Sequence, residues 1–158
     1  MRKIILVVSL IIWSCFVLIF PAALIFINEY FALPQYELPA GNFLGLLMIL
    51  VAFAITLYAV ISFLTVGRGT PVPVDPPRKL VITGLYKYTR NPIYLAYFLL
   101  FLGYFLAFGT VLLLGYFLSC TIFFYFYVVY HEEPVLKKRF GQEYEDYLRK
   151  VPRWFPKI

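Results

Sequence analysis

Long apolar runs separated by short polar segments dominate the pattern of this chain. Residues 4–27 are continuously apolar except for Ser9, Ser14 and Pro21, and residues 43–66 form a second apolar run. Each run exceeds the ~20 residues that an α-helix needs to cross the hydrocarbon core of a bilayer. The pattern therefore predicts two membrane-spanning helices in the first half of the chain.

A third apolar stretch, residues 93–130, is too long for a single crossing. Gly109 and Thr110 interrupt it near its middle, where a chain reversal would have to lie. The stretch therefore predicts a helical hairpin, with a short span at about 93–108 and a full span at about 111–130.

Two polar segments flank this hairpin. The loop at 67–92 cannot form one helix, because proline removes a helix hydrogen bond and clashes with the preceding turn. Its prolines are Pro71, Pro73, Pro76, Pro77 and Pro92. In the tail at 131–158, apolar residues recur at helical spacing and charged residues occupy the other faces, which predicts an amphipathic helix along the membrane surface. The apolar positions are Leu136, Phe140, Tyr144, Tyr147, Leu148 and Val151.

The composition supports the same fold class. Hydrophobic residues make up 63% of the 158 residues and charged residues 14%, whereas a soluble domain is about half apolar and a quarter charged. We predict one all-α integral membrane domain over residues 1–158, with about four transmembrane helices and a C-terminal amphipathic interfacial helix. Residues 1–3 resemble the basic start of a signal peptide, but the following apolar run is too long and lacks a cleavage site, so we expect a retained first span.

The basic residues predict an orientation for this fold. With a cytoplasmic N-terminus and four crossings, all 14 basic residues fall on the cytoplasmic side, and the other side carries only Glu29 and Glu37. This distribution follows the positive-inside rule, under which cytoplasmic loops carry the excess of Lys and Arg. Both termini are therefore predicted to be cytoplasmic, so that the loop at 67–92 meets the tail at 131–158 on one face.

The first candidate for chemistry is the run Gly84–Tyr94, which reads GLYKYTRNPIY. Pro92 suits the first turn of a helix, where its missing N–H removes no hydrogen bond. Asn91 then lies near the helix cap, and Arg90 lies at the edge of the bilayer. The alternative interpretation is an interfacial anchor, because Tyr and Arg are also common at membrane–water boundaries.

The second candidate is the sequence His131-Glu132-Glu133-Pro134, at the end of the last predicted span. Ionisable groups so close to hydrocarbon typically have partners or a function. The alternative is helix capping, because the first turn of the tail helix favours negative charge. His131 is the only histidine in the chain, and one histidine with two glutamates is a poor ligand set for zinc or iron, so we expect no metal site.

On one membrane face, the two candidates together predict a pocket with carboxylates, a guanidinium and aromatic rings. A cationic sulfonium cofactor with an amino-acid tail and a ribose fits these groups. Carboxylates would bind its amine or ribose hydroxyls, Arg90 its carboxylate, and tyrosine rings its adenine or its positive centre. The candidate catalytic residues are Arg90, Tyr94 and His131. The candidate cofactor-binding residues are Tyr86, Arg90, Asn91, Pro92, Tyr94, His131, Glu132 and Glu133.

Signatures of other cofactors are missing from the sequence. Gly67-Arg68-Gly69 lacks the strand–turn–helix context of a dinucleotide-binding fold, and no G-K-[ST] loop, G-x-S-x-G elbow or H-E-x-x-H helix occurs. The basic residues lie beside the predicted spans and form no nucleic-acid-binding stripe. We expect them to bind anionic lipid head groups, and we expect no nucleic-acid partner.

From about residue 67 to residue 158, the chain resembles the isoprenylcysteine carboxyl methyltransferase and phospholipid methyltransferase superfamily. The resemblance rests on the run Thr83–Tyr94, with its R-N-P-x-Y pattern, and on the Glu132-Glu133 pair after a hydrophobic hairpin. It continues through Leu136, Phe140, Gly141, Tyr144, Tyr147, Val151, Pro152 and Arg153. Asn91 stands where many members have histidine. Bacterial relatives with the pattern R-N-P-x-Y resemble this chain in having asparagine there.

This resemblance implies S-adenosylmethionine as the cofactor, bound between the R-N-P-x-Y and E-E segments with the tail closing over it. It also implies a lipophilic acceptor that enters from the bilayer and offers a carboxylate, an amine or a thiol. An amine acceptor would need a base, for which Glu132, Glu133 and His131 are the candidates. The bacterial pattern implies the inner membrane of a prokaryotic cell.

Two other functions compete with this interpretation. The first is an NADPH-dependent membrane reductase of the sterol-reductase type, whose cofactor phosphates would need several basic contacts. The second is a non-catalytic membrane protein that binds lipid or a partner helix, since aromatic belts and basic tails require no enzyme. Glu132-Glu133 favours a cationic cofactor over NADPH.

Overall fold

The computed structural model describes residues 2–37, 39–70 and 77–155. Within these residues the chain is helical and no strand is formed. Of the prolines predicted to interrupt the loop, three lie outside the described residues. These three are Pro71, Pro73 and Pro76.

Short turns and short π-helical or 3₁₀ segments connect several of the helices. The first pair is α1 (Arg2–Ser14) and α2 (Phe20–Tyr30), joined by a π-helical turn, and α3 (Gly41–Ser62) likewise ends in the π-helical segment Phe63–Gly67. A short 3₁₀ helix at Gly84–Lys87 precedes α4 (Pro92–Phe108). Then follow α5 (Val111–Tyr127), a π-helical turn at Val128–Glu132, α6 (Glu133–Phe140) and α7 (Gln142–Lys150).

In the described part of the chain, three continuous helical stretches are long and apolar enough to cross a membrane. They are Ile11–Tyr30, Gly41–Gly67 and Val111–Phe140, and α4 is a shorter apolar helix of 17 residues. Many of their large apolar side chains are exposed, as expected of helices surrounded by lipid. The predicted fold class, an all-α polytopic membrane protein, is therefore confirmed.

The chain divides into two compact units by its internal contacts. One unit is Met1–Ala52 with Phe98–Ser119, and the other is Phe53–Tyr97 with Cys120–Ile158. All the candidate site residues belong to the second unit.

In the first unit, Gly109 makes the turn between α4 and α5. Its φ of 67° is a left-handed conformation that glycine adopts without strain. The backbone N–H of Tyr36 donates to the Gly109 carbonyl at 2.8 Å, and the N–H of Val111 donates to the Pro34 carbonyl at 3.1 Å. A side chain at Gly109 would overlap the Tyr36 carbonyl, so the turn depends on glycine.

Two glycines in the first unit let α3 and α4 approach closely. A Cβ placed on Gly45 would lie 2.5 Å from the carbonyl oxygen of Gly103 and 2.6 Å from the backbone nitrogen of Ala107. Small residues at such crossings allow backbones to pack directly, which is a common way of joining helices in membranes.

In the second unit, the tail forms two helices where the pattern predicted one. Gly141 separates α6 from α7 with a φ of 54°, which no regular right-handed helix accommodates. The apolar side of α7 does not remain free, because Tyr144, Tyr147 and Val151 are buried against Leu80. The amphipathic spacing of the tail therefore reflects packing within the protein.

Candidate functional site

The segment before α4 is held in place by the end of α3 and by the tail. Gly84 starts the 3₁₀ helix with a φ of 59°, and the ring of Tyr58 occupies the space that a side chain would take there. Tyr86 is buried with Ala59 and Val81, so its ring belongs to a core cluster. The hydroxyl of Tyr147 donates to the Tyr86 carbonyl at 2.7 Å.

Three tyrosines, one in this cluster and two on α7, are buried. Desolvation is the main cause that raises the pKa values of Tyr86, Tyr144 and Tyr147 well above the usual tyrosine value. These phenols are therefore neutral hydrogen-bond donors at any physiological pH. The Tyr147 hydroxyl serves as such a donor, and it fixes the distance between α7 and the 3₁₀ helix.

Three further hydrogen bonds attach the end of the tail to the residues before α4. The backbone N–H of Arg90 donates to the Pro152 carbonyl at 3.0 Å. The carbonyl of Arg153 accepts from the Thr89 hydroxyl at 3.1 Å and from the Asn91 side-chain amide at 3.0 Å. Asn91, a predicted cofactor-binding residue, thus uses its amide to hold the tail.

Glu133 lies between two guanidinium groups. Arg90 approaches it with 3.0 Å between Nη1 and Oε1, and Arg153 forms a two-pronged contact at 2.7 and 2.9 Å. The hydrogen bond to Glu133 is the main cause that raises the pKa of Arg153 above its ordinary value. One carboxylate therefore joins the start of α6, the start of α4 and the tail.

Glu132 has a different neighbour. The Tyr94 hydroxyl donates to its Oε2 at 2.5 Å. Aromatic rings surround this pair: the Tyr94 ring lies 5.1 Å from that of Phe124 and 6.3 Å from that of Tyr97, measured between centroids. Glu132 is thus a carboxylate in largely aromatic surroundings, whereas Glu133 is in a cationic environment.

The structure brings together most of the predicted site residues, but His131 stands slightly apart. Its exposed ring packs beside that of Tyr127, with 5.0 Å between centroids. Pro92 occupies the first position of α4, as its backbone chemistry favours. In the described residues, no group of three or more His, Cys, Asp or Glu side chains is arranged to hold a metal ion.

Comparison with known proteins assigns the chain to a family. A family model described as phospholipid methyltransferase matches residues 40–143. The match covers well over half of the 158 residues and includes the segments that carry both glutamates and Arg90. The chain belongs to the phospholipid methyltransferase family.

Two known proteins are similar to this member of the phospholipid methyltransferase family. The Protein-S-isoprenylcysteine O-methyltransferase of Schizosaccharomyces pombe is 38% identical over 85 residues, which are 50% of this chain and 34% of that protein. A solved structure of the eukaryotic intramembrane Ras methyltransferase ICMT superimposes with a TM-score of 0.59 at 23% identity, covering 89% of this chain and 50% of that one. The chain thus spans a third to a half of the length of these relatives, and the structural likeness shows a shared fold.

Some residues of the site were not among those predicted to bind the cofactor. Arg153, Thr89 and Tyr147 make the contacts that join the tail to α4, but they were not predicted as site residues. A signal for Arg153 was present in the sequence, because the resemblance noted above continues through Val151-Pro152-Arg153, beyond the residues that the family model matches. No comparable signal marks Thr89, whose hydroxyl is ordinary in a loop.

The site offers groups that suit the cofactor implied by the phospholipid methyltransferase family. Within the described part of the chain, the Nε of Arg90 is buried and has no hydrogen-bond partner. A buried donor is costly to leave unpaired, so a carboxylate or hydroxyl oxygen of a ligand would be stabilised there. Together with Glu132 and the ring of Tyr94, this donor fits a cofactor that carries both a carboxylate and a positive centre.

Proposed function

We propose that this protein is a membrane-embedded, S-adenosylmethionine-dependent methyltransferase that acts on a lipophilic acceptor at the cytoplasmic interface. The observation that carries the proposal is the pairing of Tyr94 with Glu132 and of Arg90 with Glu133. Both pairs lie within the region matched by the family model, and they combine anionic, cationic and aromatic groups at one end of α4.

Each group has a distinct part in binding the cofactor. S-adenosylmethionine supplies a methyl group on a positively charged sulfur. The Arg90 Nε donates to its carboxylate, and the ring of Tyr94 or Tyr97 stabilises its positive centre. Glu132 contributes negative charge to the same region, which favours a cationic ligand.

The two glutamates have different roles: Glu133 is structural, and Glu132 is available for chemistry. Glu133 is occupied by the guanidinium groups of Arg90 and Arg153, which hold its charge and orient it. Glu132 accepts a hydrogen bond from an uncharged hydroxyl, so that bond does not offset its negative charge as the guanidinium groups offset that of Glu133. If the acceptor is an amine, Glu132 is the group that takes its proton, in preference to Glu133 or the exposed His131.

The tail completes the site by excluding water. Its hydrogen bonds to Thr89, Arg90 and Asn91 keep it against the start of α4. An acceptor in a desolvated site can be held in line with the transferable methyl group, and such alignment accounts for a large part of the rate. The acceptor is lipophilic and enters from the bilayer, where it can offer a carboxylate, an amine or a thiol.

The proposed topology places this site on the cytoplasmic side. Both termini are cytoplasmic, because four crossings leave every basic residue on that side. The protein is proposed to lie in the inner membrane of a prokaryotic cell.

A ligand titration in detergent tests the proposal. Calorimetric titration of S-adenosylhomocysteine should give saturable binding, while NADPH should give none. The Glu132→Gln variant should weaken S-adenosylmethionine binding about tenfold or more, because a hydrogen bond to a charged group contributes ~1.5–3 kcal/mol. Glu143→Gln, which removes an exposed carboxylate on α7, is the matched control and should bind normally. Binding of NADPH alone would indicate the reductase, and binding of neither would indicate a non-catalytic lipid-binding protein.

A further inference from the structure

A groove between α3 and the 3₁₀ helix that precedes α4 lies apart from Arg90 and the two glutamates. It has a volume of about 560 Å³ and is open along one side. Its lining comes from one stretch of α3 and from the 3₁₀ helix that precedes α4. The lining residues are Ala54, Ile55, Tyr58, Gly84, Leu85, Lys87 and Tyr88.

The groove exists because the chain before α4 runs directly against α3. Gly84 has no side chain, and the Tyr58 hydroxyl occupies the position where a Cβ would project. This contact holds the 3₁₀ helix beside the C-terminal turns of α3. Leu85 and Lys87 are consequently carried to the groove together with Gly84.

The two ends of the groove differ in chemistry. Ala54 lies one helical turn before Tyr58, about 6 Å along the axis of α3. The part of the groove wall that α3 forms before Tyr58 is therefore apolar, because it consists of Ala54 and Ile55. Lys87 and Tyr88 are exposed at the other side, five and four residues before the first residue of α4. Tyrosine and lysine in this position are typical of the membrane–water interface.

The charge of the groove indicates its occupant. Lys87 is a cation, and none of the seven lining residues is a carboxylate that would neutralise it. An ammonium at the interface above an apolar wall complements a molecule with a phosphate above an acyl chain. We propose that the groove holds one anionic phospholipid, with its phosphate at Lys87 and an acyl chain along Ala54 and Ile55.

This lipid is distinct from the methyl acceptor. The lining does not include Arg90, Glu132 or Glu133, and the proposal does not depend on the enzymatic activity. A bound lipid would brace the 3₁₀ helix against α3, because it fills the space between Leu85 and Ile55. The groove is therefore a site for a resident lipid that stabilises the segment leading to Arg90.

Native mass spectrometry of the full chain can count such lipids. The protein is titrated in detergent with phosphatidylglycerol or with phosphatidylcholine of the same acyl chains. The first phosphatidylglycerol should bind more tightly than the first phosphatidylcholine. Lys87→Ala should weaken that first binding step about fivefold, the effect expected for one interfacial basic residue. Ala54→Phe, which fills the apolar part and keeps the charge, should weaken it as well.

The matched control is Lys138→Ala, which removes an exposed lysine from α6. It should leave the first binding step unchanged. An equal loss in Lys87→Ala and Lys138→Ala would overturn the proposal in favour of diffuse attraction to basic residues. Unchanged binding in Lys87→Ala, or complete displacement of the lipid by millimolar inorganic phosphate, would overturn it too, because the site requires both the cation and the chain.

Discussion

The hydroxyl of Tyr94 lies 2.5 Å from Oε2 of Glu132, across 38 residues of sequence. The contact joins the first turn of α4 to the π-helical turn that precedes α6. The carboxylate of Glu132, which lies among aromatic rings, thus has an uncharged hydrogen-bond donor. In the proposed enzyme, this arrangement leaves the negative charge of Glu132 available to the cofactor or to the acceptor.

Removal of the Tyr94 hydroxyl should weaken cofactor binding. In Tyr94→Phe, the ring remains but Glu132 loses the hydroxyl that orients its carboxylate toward the cofactor, and a hydrogen bond to a charged group contributes about 1.5–3 kcal/mol. S-adenosylmethionine affinity should therefore fall about tenfold in a calorimetric titration. Tyr130→Phe, which changes an exposed tyrosine within the same turn, is the control and should bind like the unmodified protein. Equal affinity in both variants would mean that Tyr94 serves only to anchor α4 at the interface.

Loss of the Glu133 charge should release the tail. Glu133→Gln weakens two contacts, one with Arg90 and one with Arg153, and charge-assisted bonds of this kind contribute roughly 1.5–3 kcal/mol. Hydrogen exchange of the amides at 142–153 should therefore be accelerated about tenfold or more, because local opening becomes easier.

The comparison variant is Glu145→Gln, which breaks the exposed pair between Lys137 and Glu145. Exposed pairs contribute at most about 1 kcal/mol, so exchange of the tail should change little. If Glu133→Gln leaves the tail as protected as Glu145→Gln does, the carboxylate does not hold it. Glu133 would then be assigned to ligand binding.

The proposed topology can be tested by cysteine labelling. Gly109 is unsuitable as a labelling site, because a side chain there would overlap Tyr36. Phe108→Cys and Glu37→Cys lie at exposed positions near that turn, and both should react with a membrane-impermeant maleimide added outside. Lys138→Cys should react only after the membrane is opened. Labelling of Lys138→Cys from outside in intact cells would contradict the four-crossing topology.

Because α3 and α4 approach closely at Gly45, we expect Gly45→Ala to lower thermal stability and Gly115→Ala to leave it unchanged. Gly45→Ala places a methyl group 2.5 Å from the Gly103 carbonyl oxygen, and relief of this overlap should cost about 1–3 kcal/mol. Gly115→Ala on α5 meets nothing within 4 Å and should be neutral or slightly stabilising. Thermal unfolding in detergent should show a lower Tm for Gly45→Ala only. Equal Tm values would show that the helices separate without loss of stability.

The fold class could be predicted from the sequence because long apolar runs indicate directly that a segment is surrounded by lipid. A run long enough to span a bilayer predicts a helix whatever it packs against, and the stretches Gly41–Gly67 and Val111–Phe140 confirm this. The interior of the tail was harder to predict. Tyr147 recurs at helical spacing whether its face meets lipid or the 3₁₀ helix, so periodicity could not show that its hydroxyl binds Tyr86.

The candidate site was predictable in its motif but not in its internal bonding. Arg90, Tyr94, Glu132 and Glu133 were singled out from residue type and position, and the structure brings them together in two pairs. Which glutamate pairs with which partner depends on rotation along a π-helical turn, which the sequence does not reveal. Arg153 was missed as a site residue because it lies 20 positions from its partner in a non-helical segment.

Transfer of a labelled methyl group to lipid is the direct test of the proposed methyltransferase activity. The protein is incubated with S-adenosylmethionine labelled in its methyl group and with a total membrane lipid extract, and the lipid phase is counted. We expect time-dependent label in the lipid phase, strongly reduced in Glu132→Gln and Arg90→Ala and retained in Glu143→Gln. If the folded, unmodified protein leaves all the label in the aqueous phase, or if Glu132→Gln transfers it at the full rate, the proposed activity and the role of Glu132 are contradicted.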